Sequence, residues 1–368
     1  MTDKDILIIG AGLAGSFTAL ALCERGFKCR MFHTHSDHKS SASMVPLALY
    51  NPAAAMRARK GWQAETCASH LEKAVRKLLE YGTPKHAFYA DNGVLRPALD
   101  EKMKSFFYDS TQNEDWPENW VSWMEADELE KRFPEVEHSF GAIYVSAGKT
   151  FDTPALLKQL HGLLEKEYNC IIQDEKVHSL KRSDEQWNVT TNKSTYSSKK
   201  VLLAAGSGSF ELIDLSNQKH HQVKGQAIEI EKPVTKDNYP SVSSKGYIAM
   251  LNNKAVIGST YEHHFDNLDS TEKGIEILKN KLTRTFTNTG NGAPEVKSSW
   301  AGIRITTPDR MPLLGELPGE DGLYLSIGFG SKGLMYSPYC GELLAAHIQD
   351  GRDLPFEVSL KRQLPPSD

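Results

Sequence analysis

Three glycines near the start of the chain have the spacing of a nucleotide-binding turn. Gly10, Gly12 and Gly15 follow the apolar run DILII and precede SFTALALCERG, which has the composition of a helix ending at Gly26. Between a strand and a helix, such glycines permit a tight turn, a close approach of pyrophosphate to the backbone, and close packing of the helix. The helix N-terminus then faces the anion. Leu13 and Ala14 lie within the same turn and complete the predicted contact, although an ordinary glycine-rich turn is the alternative.

The next predicted strand, FKCRMF, ends at His33, where this motif normally carries an acid. Aspartate or glutamate would accept a hydrogen bond from a ribose 2′-hydroxyl. A neutral imidazole still offers one acceptor nitrogen, so we expect a weaker contact that fades as pH falls through roughly 6.5. With Lys28 and Arg30 nearby, a 2′-phosphate site of an NADP-dependent dehydrogenase is the alternative.

A later apolar strand ends in small residues that suit a flat ligand. The run VLLAAGSGS ends in Ala204, Ala205 and Gly206, which allow another group to pass close to the backbone. By itself this pattern is equally typical of a buried strand followed by a tight turn.

These motifs require an alternating strand and helix framework. The opening βαβ pattern predicts parallel strands with a right-handed crossover. Two segments interrupt the alternation of predicted strands and helices, and both contain short strands of antiparallel character. The sequence therefore predicts an α/β fold (α+β overall), in which a Rossmann-like nucleotide-binding domain carries a second domain with a mainly antiparallel sheet. The expected boundaries are 1–82, 150–222 and 301–368 for the first domain and 83–149 and 223–300 for the second. Within the first, Thr153 is the expected N-cap of a helix, with Pro154 in its first turn.

Composition excludes some classes of function. The 368 residues carry a formal net charge of −4, which gives no general attraction to nucleic acid. Five cysteines without CxxC spacing indicate buried or free thiols, and no apolar run approaches the roughly 18 residues of a membrane span. We therefore expect a cytoplasmic protein without membrane association. The pairs His220-His221 and His263-His264 are not expected to bind a metal, because adjacent histidines in a strand point to opposite faces.

The order of the motifs resembles the FAD-dependent D-amino-acid oxidase family, which includes glycine oxidase and sarcosine oxidase. The resemblance covers GAGLAG, SSAS, FDTPALL, VLLAAGSGS, VKGQ, AVIGSTYEHHFD and the C-terminal block from SWAGIR to GELLAAHI. Within the family, ALYNP and GFGSKGLMYSPYCGELLAAHI are most similar to the FAD domain of the bifunctional tRNA wobble-uridine modification enzyme, which also lacks the acid at His33. The resemblance implies hydride transfer from a carbon–nitrogen bond to flavin N5, followed by hydrolysis of the imine.

The same resemblance implies which residues hold FAD. The pyrophosphate would contact the first glycine loop and a small-residue loop, the adenine side would meet a backbone strand, and the isoalloxazine would be wrapped by the C-terminal loop. Beyond the residues named above, the implied contacts are Ser41, Ala42, Ser43, Val177, Arg304, Gly330, Ser331, Lys332, Gly333 and Leu334.

Three residues are the implied catalytic group. Arg304 matches the family arginine that holds a substrate carboxylate, and a guanidinium binds a carboxylate with two hydrogen bonds. Tyr247 matches a strand position that faces the substrate. Lys332, near the flavin pyrimidine, would stabilise the negative charge that develops on reduction. The alternatives are a structural salt bridge for Arg304 and a solvent-facing lysine for Lys332.

Departures from the family pattern leave the substrate open. Gly302 stands where sarcosine oxidases carry the cysteine bonded to flavin, so FAD is expected to be non-covalent, and Ser331 replaces the arginine of glycine oxidase. An amino acid or N-substituted glycine is the leading substrate, with oxygen or another carrier as electron acceptor.

Oxidation of a carboxymethylaminomethyl group on tRNA is a second hypothesis, for which Arg57 to Trp62 with Lys73, Arg76 and Lys77 would form a basic patch. A flavin-binding protein without turnover is a third.

Overall fold

The computed structural model describes residues 4–34, 41–287 and 294–363. The helices within these ranges are α1 (Leu13–Glu24), α2 (Ala64–Glu80), α3 (Glu101–Asn113), α4 (Ala126–Arg132), α5 (Thr153–Tyr168), α6 (Ser209–Leu212), α7 (Glu272–Thr285) and α8 (Gly333–Asp350). The strands are β1 (Asp5–Ile9), β2 (Lys28–His33), β3 (Ala48–Tyr50), β4 (Ala53–Ala54), β5 (Arg59–Lys60), β6 (Tyr89–Ala90), β7 (Val94–Pro97), β8 (Val121–Met124), β9 (Ala142–Val145), β10 (Lys149–Phe151), β11 (Ile171–Asp174), β12 (Val177–Ser183), β13 (Gln186–Thr191), β14 (Thr195–Ser198), β15 (Val201–Leu203), β16 (His221–Glu231), β17 (Ser241–Ser243), β18 (Tyr247–Leu251), β19 (Lys254–Gly258), β20 (Ser298–Thr306), β21 (Leu313–Glu316) and β22 (Leu323–Ile327).

A six-stranded sheet with the order β11-β2-β1-β15-β22-β21 contains the first glycine motif. Its first five strands pair in parallel, and β21 pairs antiparallel with β22. The chain runs outward from β1 through β2 to β11 and later returns to the other side of β1 as β15. This reversal leaves a crevice at the carboxyl ends of β1 and β15, where open α/β sheets bind their ligands.

Both faces of this sheet are covered. On one face, α1, α5 and α8 form a shared apolar core with Ile6, Ile8 and Met31. The helices α1 and α8 cross closely, because a Cβ on Gly341 would lie only 2.8 Å from the backbone of Phe17. On the other face, Leu7, Ile9 and Phe32 pack with Trp187 and Val189 of the three-stranded sheet β12-β13-β14. Burial on two faces accounts for the continuous apolar character of β1.

An eight-stranded sheet with the order β20-β16-β19-β18-β17-β7-β9-β8 forms the second layer of the site. Its pairs are antiparallel except for β17 with β7. One face packs on α7 through a core that includes Ile228, Ile257 and Leu278. The opposite face carries Ala227 and Ala249 and packs on the segment that follows Ser43; its core members are Leu47, Ala227, Ala249, Leu251 and Val256. The expected combination of a Rossmann-like sheet and a mainly antiparallel sheet is confirmed.

The N-cap of α5 differs from the prediction. Asp152 occupies that position, and its carboxylate accepts a hydrogen bond from the Ala155 N–H at 3.0 Å. Thr153 is the first helical residue, and its hydroxyl donates to the Val45 carbonyl. Both side chains are good caps, and aspartate one residue earlier has the extended backbone conformation that a cap requires. Among the described helices, none is both long and apolar enough to cross a membrane.

Candidate active site

The first glycine loop forms a cradle in which side chains have no room. Gly10 has φ +107°, and a Cβ there would lie 2.8 Å from the Ala205 Cα and closer still to the Ala204 carbonyl. A Cβ on Gly12 would lie 2.9 Å from the Ser43 Oγ, and one on Gly15 would overlap the Gly10 carbonyl. The Ser43 Oγ accepts a hydrogen bond from the Leu13 N–H at 3.1 Å. Bare backbone at a helix N-terminus, bordered by one hydroxyl, fits a pyrophosphate.

His33 lies at the end of β2, beside a second histidine that the sequence analysis missed. The backbone carbonyl of His33 accepts a hydrogen bond from the Glu175 N–H at 2.8 Å, which ties β2 to the turn after β11. The ring of His161, from α5, lies 6.2 Å from the His33 ring. The His161 Nε2 also lies 2.9 Å from the Ser16 Oγ and 3.1 Å from the Ala11 carbonyl. Val177 opens β12 three residues beyond the end of β11, so this edge of the crevice is formed by β2, β11 and the start of β12.

The C-terminal loop brings a second helix N-terminus to the same crevice. Gly330 has φ +55°, and its N–H donates to the Ile305 carbonyl at 2.8 Å. A Cβ on Gly333, at the start of α8, would lie 3.7 Å from the Leu13 side chain at the start of α1. Leu334 is buried in the core between these helices. The loop predicted to wrap the isoalloxazine therefore adjoins the loop predicted to hold the pyrophosphate.

Lys332 is a half-buried cation in this loop. Its Nζ donates to the Tyr336 Oη at 3.3 Å. Burial lowers the pKa of Lys332, and repulsion from Arg310 lowers it further, whereas Asp309 opposes both. Ser331 beside it is exposed. The solvent-facing lysine considered from sequence is thus replaced by one whose ammonium lies against protein.

Arg304 lies on the face of the eight-stranded sheet that carries Ala227 and Ala249. Its position in β20 pairs with Val223 in β16, and its guanidinium extends over Gly225, where a Cβ would lie 2.5 Å from Nη2. The Nη1 donates to the Ser259 Oγ at 2.9 Å, and the Nη2 donates to the Thr260 carbonyl at 2.7 Å. The Tyr261 ring covers the guanidinium, with its centroid 4.4 Å from Cζ.

The charge of Arg304 is not neutralised by a carboxylate. Throughout the part of the chain that the structure describes, no aspartate or glutamate forms a salt bridge with it, and its partners are a hydroxyl, a carbonyl and an aromatic ring. The structural salt bridge considered as an alternative is therefore not found among these residues. A half-buried guanidinium held by neutral groups retains the capacity to bind an anion.

Tyr247 lies on the same sheet face, opposite Gly258 in β19. A Cβ on Gly258 would overlap the Tyr247 ring, so the glycine provides the space for the tyrosine. Burial raises the pKa of the Tyr247 hydroxyl, which the positive charge of Arg304 partly counteracts. The structure therefore brings Arg304 and Tyr247 to one face of the same sheet.

One bridge connects this sheet face to the nucleotide crevice. Ser41 pairs in parallel with Ile303, the neighbour of Arg304, and the single turn Ala42–Met44 follows it. Ser43 in that turn contacts the start of α1, as described above. The arginine and the pyrophosphate cradle are thus linked by three residues of chain.

The predicted basic patch is largely paired with acids. Lys73 and Lys77 both contact Glu24, at 3.4 Å and 2.8 Å, and Arg59 lies 3.3 Å from Glu114. A further pair joins Lys60 and Glu65 at 2.6 Å. Three carboxylates, which the sequence pattern did not place beside these cations, therefore compensate part of the charge of the predicted patch.

The two histidine pairs line one open cavity of about 630 Å³ at the start of β16. The lining residues are His220, His221, Gln222, His263, His264, Phe265 and Asp266. Within the described residues, no three histidine, cysteine or acidic side chains are arranged to hold a metal ion.

The fold and this site define a class of protein: a dinucleotide-binding protein in which a large antiparallel sheet lies beside the nucleotide crevice. The family model described as "FAD dependent oxidoreductase" (DAO) matches residues 5–347. The chain therefore belongs to the DAO family of FAD-dependent oxidoreductases. FAD is its cofactor, and the glycine cradle and the two converging helix N-termini fit it.

The most similar relatives include two kinds of protein. The chain is 25% identical over 405 residues to the tRNA 5-methylaminomethyl-2-thiouridine biosynthesis bifunctional protein MnmC of Pseudomonas syringae, covering 99% of this chain and 58% of that protein. It is 24% identical over 388 residues to glycine oxidase of Geobacillus kaustophilus, covering 98% and 96%. The chain thus spans less than two thirds of the MnmC protein.

Solved structures share the fold. The crystal structure of glycine oxidase from Geobacillus kaustophilus matches with a TM-score of 0.81 at 20% identity, covering 95% of each chain. Iminodiacetate oxidase from a Chelativorans species matches with a TM-score of 0.81 at 22% identity, covering 96% of this chain and 97% of that one.

Proposed function

We propose that this protein oxidises the carbon–nitrogen bond of an amino acid or an N-substituted glycine. The observation that carries the proposal is the Arg304 guanidinium, which is half-buried, held by neutral partners and free of salt bridges to the described carboxylates. A substrate carboxylate supplies the missing negative charge and accepts the two-pronged hydrogen bond that a guanidinium offers.

The residues of this chain position the substrate. Arg304 fixes the carboxylate with two hydrogen bonds, and the Tyr247 hydroxyl, whose pKa burial raises further, can donate an additional one. Gly206, where a Cβ would meet nothing within 4 Å, and the Gly330–Gly333 turn leave space for a flat group. Bound FAD supplies the hydride acceptor, and the resulting imine is hydrolysed by water. Orientation against the acceptor is the contribution of the protein, and no proton transfer by a side chain is required.

We further propose that FAD is bound without a covalent link and that 1–82, 150–222 and 301–368 form its domain, with 83–149 and 223–300 as the substrate domain. The six-stranded sheet draws its strands from the first set of segments. The eight-stranded sheet draws most of its strands from the second set, and β16 and β20 each cross a boundary, with Arg304 on β20. His33, Val177 and the Gly330–Leu334 loop remain proposed contacts to the nucleotide.

The direct test is anaerobic mixing of the FAD-loaded protein with glycine, N-methylglycine, larger N-substituted glycines and D- and L-amino acids. Bleaching of the flavin absorbance by at least one carboxylate-bearing amine is expected. Matched amines without the carboxylate should reduce the flavin much more slowly. In Arg304→Met, amines with and without the carboxylate should reduce the flavin at similar rates. Failure of every member of the panel to bleach the flavin would favour a flavin-binding protein without turnover.

A second candidate substrate is the carboxymethylaminomethyl group of a tRNA wobble uridine. It is favoured by the match of 99% of this chain to MnmC, since such a group presents a glycine-like arm to Arg304. The pairing of Lys73, Lys77 and Arg59 with Glu24 and Glu114 argues against a strong phosphate-binding surface there. A gel shift with bulk tRNA at low and high salt decides: no shift at low salt dismisses this candidate.

A further inference from the structure

Three consecutive residues hold the guanidinium of Arg304. The Ser259 hydroxyl and the Thr260 carbonyl accept its hydrogen bonds, and the Tyr261 ring covers its face. These residues continue directly from β19, and the Thr260 N–H donates to the Gln226 carbonyl of β16 at 3.2 Å. The orientation of Arg304 therefore depends on the conformation of one short segment, Ser259–Tyr261.

This segment is fixed by a lysine from another element. Lys281, in the last two turns of α7, donates from Nζ to the Ser259 carbonyl at 2.6 Å. Its aliphatic part passes over Gly246, where a Cβ would lie 2.7 Å from the lysine Cδ. The backbone at Gly246 therefore leaves a channel through which Lys281 reaches the segment that holds Arg304.

Lys281 is half-buried and has no carboxylate partner among the described residues, which is unusual for a structural lysine. Burial, followed by repulsion from Arg304, lowers its pKa. Within residues 4–34, 41–287 and 294–363, no carboxylate forms a salt bridge with Lys281. Two neighbouring cations that have only neutral partners repel each other, and an anion bound at Arg304 relieves that repulsion.

We propose that Lys281 is a positioning residue of the carboxylate site: it holds the Ser259 carbonyl so that Ser259–Tyr261 keep Arg304 directed at the substrate carboxylate. This inference rests on the proposed function of Arg304. With methionine at 281, the Ser259 carbonyl loses its donor and the segment gains freedom, so Arg304 samples orientations that do not bind the carboxylate.

The test uses the FAD-loaded protein and acetate as a minimal carboxylate, with binding followed by the change in flavin absorbance. Lys281→Met should weaken acetate binding on the order of tenfold, and Lys281→Arg should recover most of the affinity. Lys273→Met, at an exposed lysine on the same helix, is the matched control and should bind like the original protein. The reduction of flavin by a carboxylate-free amine should be unchanged in Lys281→Met, which a general loss of structure would not produce.

A double-mutant cycle shows whether Lys281 acts through Ser259. In a Ser259→Ala background, Lys281→Met should cost less than it costs alone, because one of the contacts through which Lys281 acts, the Ser259 hydroxyl on Arg304, is already missing. Equal costs in both backgrounds, or unchanged acetate affinity in Lys281→Met, would overturn the proposal. If Lys281→Met does not retain FAD, the acetate affinities of Lys281→Arg and Ser259→Ala are compared instead. A positioning role requires that Lys281→Arg bind acetate more tightly than Ser259→Ala. Unchanged acetate binding in Arg304→Met would instead refute the proposed function itself.

Discussion

The guanidinium of Arg304 lies directly over Gly225, the residue two positions along β16 from its pairing partner Val223. A Cβ at position 225 would lie 2.5 Å from the Arg304 Nη2, 2.8 Å from its Cζ and 3.2 Å from its Nε. The glycine therefore creates the space in which the arginine lies flat on the sheet.

Gly225→Ala is expected to displace Arg304 without unfolding the sheet, because the added methyl meets the end of a flexible side chain. Loss of one charge-assisted hydrogen bond to the substrate corresponds to about 2 kcal/mol, or roughly 30-fold in the dissociation constant of a carboxylate. Titration with acetate, followed by flavin absorbance, measures this. Ala227, on the same face of the same strand, supplies the control Ala227→Gly, which should leave acetate binding nearly unchanged.

Lys332→Met is expected to lower the reduction potential of the bound flavin. The ammonium lies in a half-buried loop where its charge is poorly screened, so its removal should shift the potential by on the order of tens of millivolts. Equilibration with a reference dye under anaerobic conditions gives the potential. Lys332→Arg keeps the charge and serves as the control; the same potential in the original protein and Lys332→Met would remove Lys332 from the flavin site.

Denaturation should release FAD into solution. Gly302 occupies the position at which covalent members of the family carry a cysteine, and the described cysteines are buried as free thiols. Precipitation with acid followed by absorption spectroscopy of the supernatant should recover the flavin there. Flavin that remains with the pellet after washing would show a covalent bond.

The stability contributed by Asp309 should depend on pH in the acid range. Burial acts to raise its pKa, but hydrogen bonds from Arg362, the Met311 N–H and Thr307 prevail and bring the pKa to about 2, below its ordinary value of 3.8. Because the folded pKa is the lower one, the stabilisation is complete above 3.8 and is lost as pH falls from there through about 2. Urea unfolding of Asp309→Asn should therefore show a larger loss of stability at pH 7 than at pH 3. A loss that does not change with pH would mean that the carboxylate charge plays no part.

The sequence was most informative where function depends on short segments. The glycine cradle could be predicted because the three glycines, the strand and the helix are adjacent in the chain, and each glycine meets backbone that local geometry brings close. The resemblance pointed to Arg304 and Tyr247 separately, and the pairing of β16 with β20 and of β18 with β19 is what brings the two residues to one sheet face.

Other features depended on residues far apart in the chain. The pairing of Lys73 and Lys77 with Glu24 joins α2 to the end of α1, and no periodicity within α2 indicates it. His161 beside His33, and Lys281 beneath Ser259, likewise come from helix positions outside the quoted motifs. A strand followed by Gly-Ser-Thr-Tyr could have suggested a polar turn near Arg304, but not which of its atoms hold the guanidinium.

The sequence by itself determined the cofactor class, the position of the glycine cradle and the arginine proposed to bind the carboxylate, because each lies in a contiguous motif. Only the tertiary structure decided that Arg304 has no carboxylate partner among the described residues, that Gly225 makes room for it, and that Lys73 and Lys77 of α2 share Glu24. The physical reason is that charge compensation and steric space depend on atoms brought together by folding from segments separated by tens of residues. Local propensity and spacing carry no information about these contacts.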